Sequence, residues 1–264
     1  MKTETAINFM LYTLMEVTLN DLDKNGTPVG KEYYIEKAVR RAYRDASSHV
    51  LSIEEGKNDS KKNPCIKEKA ISKVVGEVQK ISGDYECWHK HVCKDILIGE
   101  IYQDKNVDYK ENNRKFSYGI AQKFVNMTIK YLVVLYTVMK DMDTDKVNQK
   151  YIEFYEEKLK KYEQDFHVPI DSYILEGVWN SDKNHEFDAN DKAEILESVI
   201  TKGKEYSRKF SSEKVIAWSK WDGEKNYEPF QKKLMDKIKN KTNEYPLDWE
   251  GKTWIEIAKS RKKG

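Results

Sequence analysis

Between Phe124 and Met139 the chain carries one charged residue, Lys130. A helix that is apolar on nearly every side has to be wrapped by other parts of the protein. This stretch therefore commits the chain to a helical assembly built around it. Ser117-Tyr118-Gly119 in front of it reads as a turn, and the spacing predicts a helix from about 119 to 140. Lys123 then falls just inside the predicted start, where a lysine opposes the positive end of the helix dipole. Such a residue either lays its stem on the surface with the ammonium in water or serves as a working amine.

Other features agree with a helical chain. Five prolines and twelve glycines in 264 residues leave room for few turns and long helices. No strand stands out at period two apart from a weak signal at Val215-Ile216-Ala217-Trp218, so the expected class is all-α or nearly so. Lys and Arg number 47 against 45 Asp and Glu, a net charge of +2, which excludes a uniformly basic protein but not a local basic face. Cys65, Cys87 and Cys93 are odd in number and unpaired in spacing, against a disulfide framework. Cys87-Trp88-His89-Lys90-His91-Val92-Cys93 lacks the second ligand pair of common zinc patterns. On a helix, Cys87 and His91 would share one face and His89 and Cys93 another. No metal or other cofactor is expected. The first residues lack a signal-peptide pattern and no run of eighteen apolar residues occurs, so a soluble, cytoplasmic protein without membrane contact is expected.

Along the chain, helices are expected at 5–20 (apolar positions Ile7, Met10, Leu11, Leu14 and Met15), 31–53 (Tyr34, Ala38, Tyr43 and Ala46 inward; Arg40, Arg41 and Arg44 outward), 65–80, 84–103 and 146–164. The last of these carries an aromatic stripe of Tyr151, Phe154, Tyr155 and Tyr162. Residues 54–63, 103–115 and 141–146 read as polar breaks. Pro169-Ile170-Asp171 before an apolar run is a helix start with Asp171 as N-cap. Further helices are expected at 190–209 and 226–240, with Trp218, Trp221, Trp249 and Trp254 among shorter elements. Asp21 to Glu32 matches the calcium loop of an EF-hand in its oxygens, Gly26 and Glu32. Pro28, however, removes a backbone NH, and Asp23-Lys24-Asn25-Gly26 is also an ordinary turn.

Two of these features belong together in one known pattern. Gly119-Ile120-Ala121-Gln122-Lys123 opening a core helix, followed by Val168-Pro169-Ile170-Asp171, resembles the helix-hairpin-helix DNA glycosylases. The likeness is to the 8-oxoguanine glycosylase/lyase branch, and is nearest to its archaeal type. Gly119, Ile120, Lys123, Pro169 and Asp171 fall in register. Ala121 stands where the family has a second hairpin glycine, and 48 positions separate Lys123 from Asp171. The resemblance implies an all-α, two-lobed fold. One lobe, at about 65–165, would hold the hairpin, and the other would combine 1–64 with 166–264. It further implies that Lys123 is the nucleophile and Asp171 the catalytic carboxylate. Ser117, Tyr118, Gly119 and Ala121 would form the hairpin that meets the DNA backbone.

The implied reaction is excision of a modified base, 8-oxoguanine or another including one in foreign DNA, by a monomer acting on double-stranded DNA. Breaking an N-glycosidic bond builds positive charge on the sugar, which a carboxylate stabilises. A neutral amine at a helix start could then attack C1′ and give a Schiff base, with strand cleavage as an AP lyase. Such an enzyme must take the base out of the stack. Trp88, Trp218, Trp221, Tyr227 and Phe230 are candidate walls for it, with Gln231 as a reader of its edge. Asn126 and Lys130 share the Lys123 face. Two alternatives stay open: a DNA-binding module of this fold without chemistry, and a calcium-responsive interaction protein built on Asp21 to Glu32.

Overall fold

The computed structural model describes residues 2–47, 66–102, 116–143, 147–181, 187–201, 207–210 and 213–262. The predicted breaks at 54–63 and 103–115, Cys65, and the second half of the 141–146 break lie outside them. The described chain is predominantly helical. It divides into two compact units, Met1–Asp104 with Met127–Tyr162, and Lys105–Asn126 with Glu163–Gly264. The dividing line differs from the lobes expected at 65–165 and its complement. Helices of the first hundred residues build a core with the later part of the central helix, whereas its opening turns join the C-terminal hundred residues.

In the first unit, α1 (Thr3–Met15) buries Leu11 and Met15 but leaves Met10 exposed. It ends sooner than expected, at a left-handed Glu16 (φ 59°). α2 (Lys31–Ser47) buries Tyr34, Ala38, Tyr43 and Ala46 as its spacing requires. α3 (Ile66–Lys80) is joined to it by Arg40, whose guanidinium forks onto both Glu68 oxygens at 2.9 and 2.7 Å. α4 (Tyr85–Lys90) runs into a π-helical stretch, His91–Ile101. There His89 and Cys93 do share a buried face, with Sγ 3.7 Å from Nε2. Burial pushes the Cys93 thiol up, away from the thiolate that metal binding or nucleophilic attack needs. Among the described residues no group of three or more potential metal-ligating side chains converges. α6 (Gln149–Lys158) stacks Tyr155 on Tyr136 at 4.0 Å and buries Tyr151, Phe154 and Tyr155 of the predicted stripe; it ends before the expected 164, and Tyr162 is buried from a 3-10 turn, Lys160–Tyr162.

The segment Asp21 to Glu32 takes the turn form. Asp21 accepts hydrogen bonds from the Thr18 NH and hydroxyl, at 3.0 and 2.7 Å. Asp23 Oδ1 accepts from the Asn25 and Thr27 amides, at 2.8 and 2.9 Å. Both carboxylates thus bond within the loop and the turn before it, no cluster of three ligating side chains forms among the described residues, and α1 stops well short of the loop instead of leading into it.

The second unit holds the opening turns of α5 (Tyr118–Lys140), α7 (Ser172–Asn180) and α8 (Ala189–Leu196). A two-stranded antiparallel hairpin follows, β1 (Ser207–Phe210) and β2 (Glu213–Ile216), then α9 (Glu228–Lys241) and α10 (Pro246–Arg261). The helix expected over 190–209 stops at Leu196. The β-branched run Val199-Ile200-Thr201 favours extended backbone, and it pairs with β2 through Thr201 NH to Lys214 O at 2.8 Å and Ile216 NH to Val199 O at 2.9 Å. α10 replaces the shorter elements expected around Trp249. Its buried set includes Glu250 and Thr253, which blurs the apolar stripe, although Pro246 at its start is a helix signal.

Asp191 ties α8 to α9. Its carboxylate lies 2.8 Å from Lys237 Nζ and in contact with Lys241. Burial opposes its ionisation, but the two ammonium groups and the Asp188 backbone outweigh that and lower it to about 2. A depressed carboxyl contributes stability above its unfolded value and loses it as pH falls through the folded one. Asp191→Asn, which keeps a capping oxygen, is therefore expected to cost about 1–2 kcal/mol at neutral pH. In urea denaturation the gap from wild type should close between about pH 4 and pH 2.

Candidate functional site

Asp171 sits where the sequence places it, as N-cap of α7. Its backbone is extended, and its Oδ1 accepts from the Tyr173 and Ile174 amides at 2.8 and 3.1 Å. Capping occupies one oxygen only. The other, Oδ2, lies 3.4 Å from Lys123 Nζ. The side chains of this pair are 11% and 15% exposed, so both charges are largely removed from water while a solvent-facing edge remains. The Lys123 amine also stands over the Trp218 ring, 4.8 Å from its centroid, within cation–π range. Lysine, carboxylate and half-buried indole come from three separate parts of the sequence and meet in one unit.

α5 starts at Tyr118, so Lys123 lies in its second turn, where the dipole has faded. The field at the amine is set by Asp171 and Trp218 rather than by the helix end. This corrects the expectation drawn from a later start.

The hairpin residues face inward. Ser117 Oγ donates to the Ser219 carbonyl at 2.7 Å, and the Gly119 NH to the Trp221 carbonyl at 3.1 Å. The Ile120 and Ala121 amides bond to Ser117. Tyr118, Gly119 and Ala121 are buried. Backbone NH groups expected to meet a DNA phosphate are thus already bonded inside the protein. Gly119 is required for a different reason: a Cβ there would stand 1.8 Å from the Trp218 carbonyl oxygen. Gly223 likewise leaves room for the Tyr118 ring, which a Cβ would meet at 2.8 Å. These contacts clamp the short turn Trp218–Lys220 over the start of α5 and bring the Trp218 ring onto Lys123.

Of the expected base-pocket residues, Trp218 alone stands at the Lys123 amine by these distances. Trp88 belongs to the first unit, where its Nε1–H donates to the Glu77 carbonyl at 3.2 Å and its ring packs on Tyr85. Trp221 is buried on Phe230 at 5.0 Å, with its Nε1–H donated to the Ile216 carbonyl at 2.9 Å. Tyr227 is buried, with its hydroxyl bonded to Asn126. Gln231 is 2% exposed, and among the described residues neither of its amide atoms has a hydrogen-bond partner. Sequence reasoning passed over Gln122, which is fully buried beside Lys123. A polar residue in so apolar a helix was the available signal. Lys130 lies in the part of α5 that belongs to the first unit.

Comparison with family models, curated proteins and solved structures finds no match to this chain. Among the described residues no helix is long and apolar enough to cross a membrane.

Proposed function

We propose that this chain is a DNA N-glycosylase with AP lyase activity, of two-lobed helix-hairpin-helix type, acting as a monomer on double-stranded DNA that carries a modified base. The observation that supports this reading best is the approach of Lys123 Nζ to Asp171 Oδ2, 3.4 Å apart across 48 residues of sequence and beside a half-buried tryptophan. Lys123, ion-paired in the resting protein, first releases its ammonium proton to solvent at the exposed edge of the site and then attacks as the free amine. A C–N bond forms at C1′ as the N-glycosidic bond breaks, and the base leaves with the bonding pair and takes the proton that the attacking nitrogen sheds. Asp171, its second oxygen held by the α7 amides, stands against the positive charge that builds on the sugar. Ring opening gives a Schiff base, and loss of a C2′ proton then expels the 3′ phosphate. Trp218 offers an aromatic face for the extruded base. The substrate class includes 8-oxoguanine and other modified bases, among them those of foreign DNA.

The test is borohydride trapping on duplexes carrying single modified bases or an abasic site, with the adduct mapped by peptide mass spectrometry. A covalent adduct on Lys123 is expected. Tight binding of such duplexes with neither adduct nor base release would replace the enzyme by a DNA-binding module.

A further inference from the structure

Gln122 and Asn126 flank Lys123 on α5, and the chemistry above uses neither. Both are fully buried. A buried primary amide is costly unless its N–H and C=O groups are paired, and the pairing here converges on one place. Gln122 Nε2 donates to the Ile170 carbonyl at 3.2 Å and to the Gly119 carbonyl at 2.8 Å. Its Oε1 accepts from the Ile170 NH at 3.4 Å and from Asn126 Nδ2 at 3.0 Å. Asn126 Nδ2 also reaches the Val168 carbonyl at 3.3 Å and the Tyr227 hydroxyl at 2.9 Å. That hydroxyl lies 2.9 Å from His167 Nδ1.

Val168, Ile170 and the intervening Pro169, which has no NH to satisfy, are the residues that lead into Asp171. Their backbone groups are met by side-chain amides of α5, much as a strand's are met by a neighbouring strand. The amide orientations follow from the partners, since a backbone carbonyl can only accept and must face the NH2 end. Asp171 is tied by its own cap to α7. The clasp ties the start of α7 to α5, the helix that carries Lys123.

We infer that Gln122 and Asn126 are positioning residues that set the Lys123–Asp171 separation by holding Val168-Pro169-Ile170 against α5; their catalytic meaning rests on the glycosylase reading. Displacement of a catalytic group by about 1 Å can cost on the order of 100-fold in rate, so a clasp of this kind is worth more to the reaction than to the fold.

The decisive measurement is the coupling between Lys123 and Asp171, which does not depend on any activity. Urea denaturation of Lys123→Met, Asp171→Asn and the double variant gives that coupling in the wild-type background and again in a Gln122→Met background. Methionine keeps the volume and removes both hydrogen-bonding ends. The coupling, expressed as a ratio of unfolding constants, is expected to fall by about threefold or more when Gln122 is replaced. Equal coupling in both backgrounds, including none in either, overturns the inference and makes Gln122 a packing residue. Should Gln122→Met not fold, Asn126→Ser serves as the second background under the same criterion. In trapping assays the clasp variants should lose about tenfold or more in rate at saturating duplex, with duplex affinity unchanged. Wild-type rates in a variant that has lost coupling overturn the catalytic part. Failure of the wild-type protein to trap sinks the glycosylase reading instead, and the coupling result stands apart from it.

Discussion

Lys123→Gln is expected to abolish the borohydride adduct while the protein still folds. Glutamine keeps a donor towards Asp171 Oδ2 but has no nucleophilic nitrogen, so the covalent step has no substitute. The side chain is largely buried and ion-paired, and the expected cost in stability is about 1 kcal/mol. Asp171→Asn separates the two roles of its residue. Asparagine caps a helix about as well as aspartate, so α7 should keep its start, and the melting temperature should fall by only the few degrees that loss of the Lys123 ion pair costs, about 1 kcal/mol. On the glycosylase reading the charge proposed to face the sugar is gone, however, and base excision should fall by about 10²–10³-fold. A preformed abasic site already has its aldehyde and needs no charge stabilisation at the sugar, so Lys123 should still trap on it in this variant. Loss of both activities to the same degree would mean that Asp171 does not act on the excision step alone.

The largest structural effect is expected from Gly119→Ala. The new methyl would meet the Trp218 carbonyl oxygen at 1.8 Å and the Trp221 nitrogen at 3.3 Å, both of them backbone atoms that have nowhere cheap to go. Relief requires the turn at Trp218–Lys220 to lift, with loss of the bonds from Ser117 to Ser219 and from Gly119 to Trp221. Alanine is the better helix former by about 1 kcal/mol, but overpacking against backbone outweighs that. A net loss of about 3 kcal/mol and a fall of roughly 10 °C in melting temperature are expected, read by thermal denaturation with tryptophan fluorescence. An unchanged melting temperature would show that the turn is not docked on Gly119. Ala121, one turn position further on, is fully buried with its methyl accommodated. The absence of a second glycine there costs this fold nothing.

What the sequence displayed and what it hid follow from the range of the interactions. The Asp171 cap is local, and Pro169-Ile170-Asp171 displays it. The inner faces of α2 and α6 are periodic and were equally plain. The meeting of Lys123 with Asp171 was not readable from either residue's surroundings, and only the likeness to a known motif suggested it. The hairpin misled because Ser117-Tyr118-Gly119 has the composition of an exposed turn. Its glycine serves a close approach of Trp218 from a hundred residues away. Asn126 is legible on the Lys123 face and Gln122 is passed over, because their backbone partners lie 42 and 48 positions downstream. Val199-Ile200-Thr201 ended a helix that composition alone would have continued, because the β-branched residues found a strand to pair with.

The split of α5 between two units has a consequence for synthesis. Residues 105–126 belong with 163–264, whereas 127–162 complete the unit that begins the chain. On the ribosome the first unit can close once residue 162 has cleared the tunnel. The opening turns of α5, with the apolar side chains of Ile120, Phe124 and Val125, must then wait for about a hundred more residues. At typical elongation rates that wait is on the order of 10 s. Asp171 follows residue 162 after about ten positions and Trp218 after about fifty more, so Lys123 can meet its carboxylate early in this interval and its indole about midway through it. Chaperone demand should therefore concentrate on that interval, and the groups around the amine should all be synthesised before the last two helices, which complete the unit.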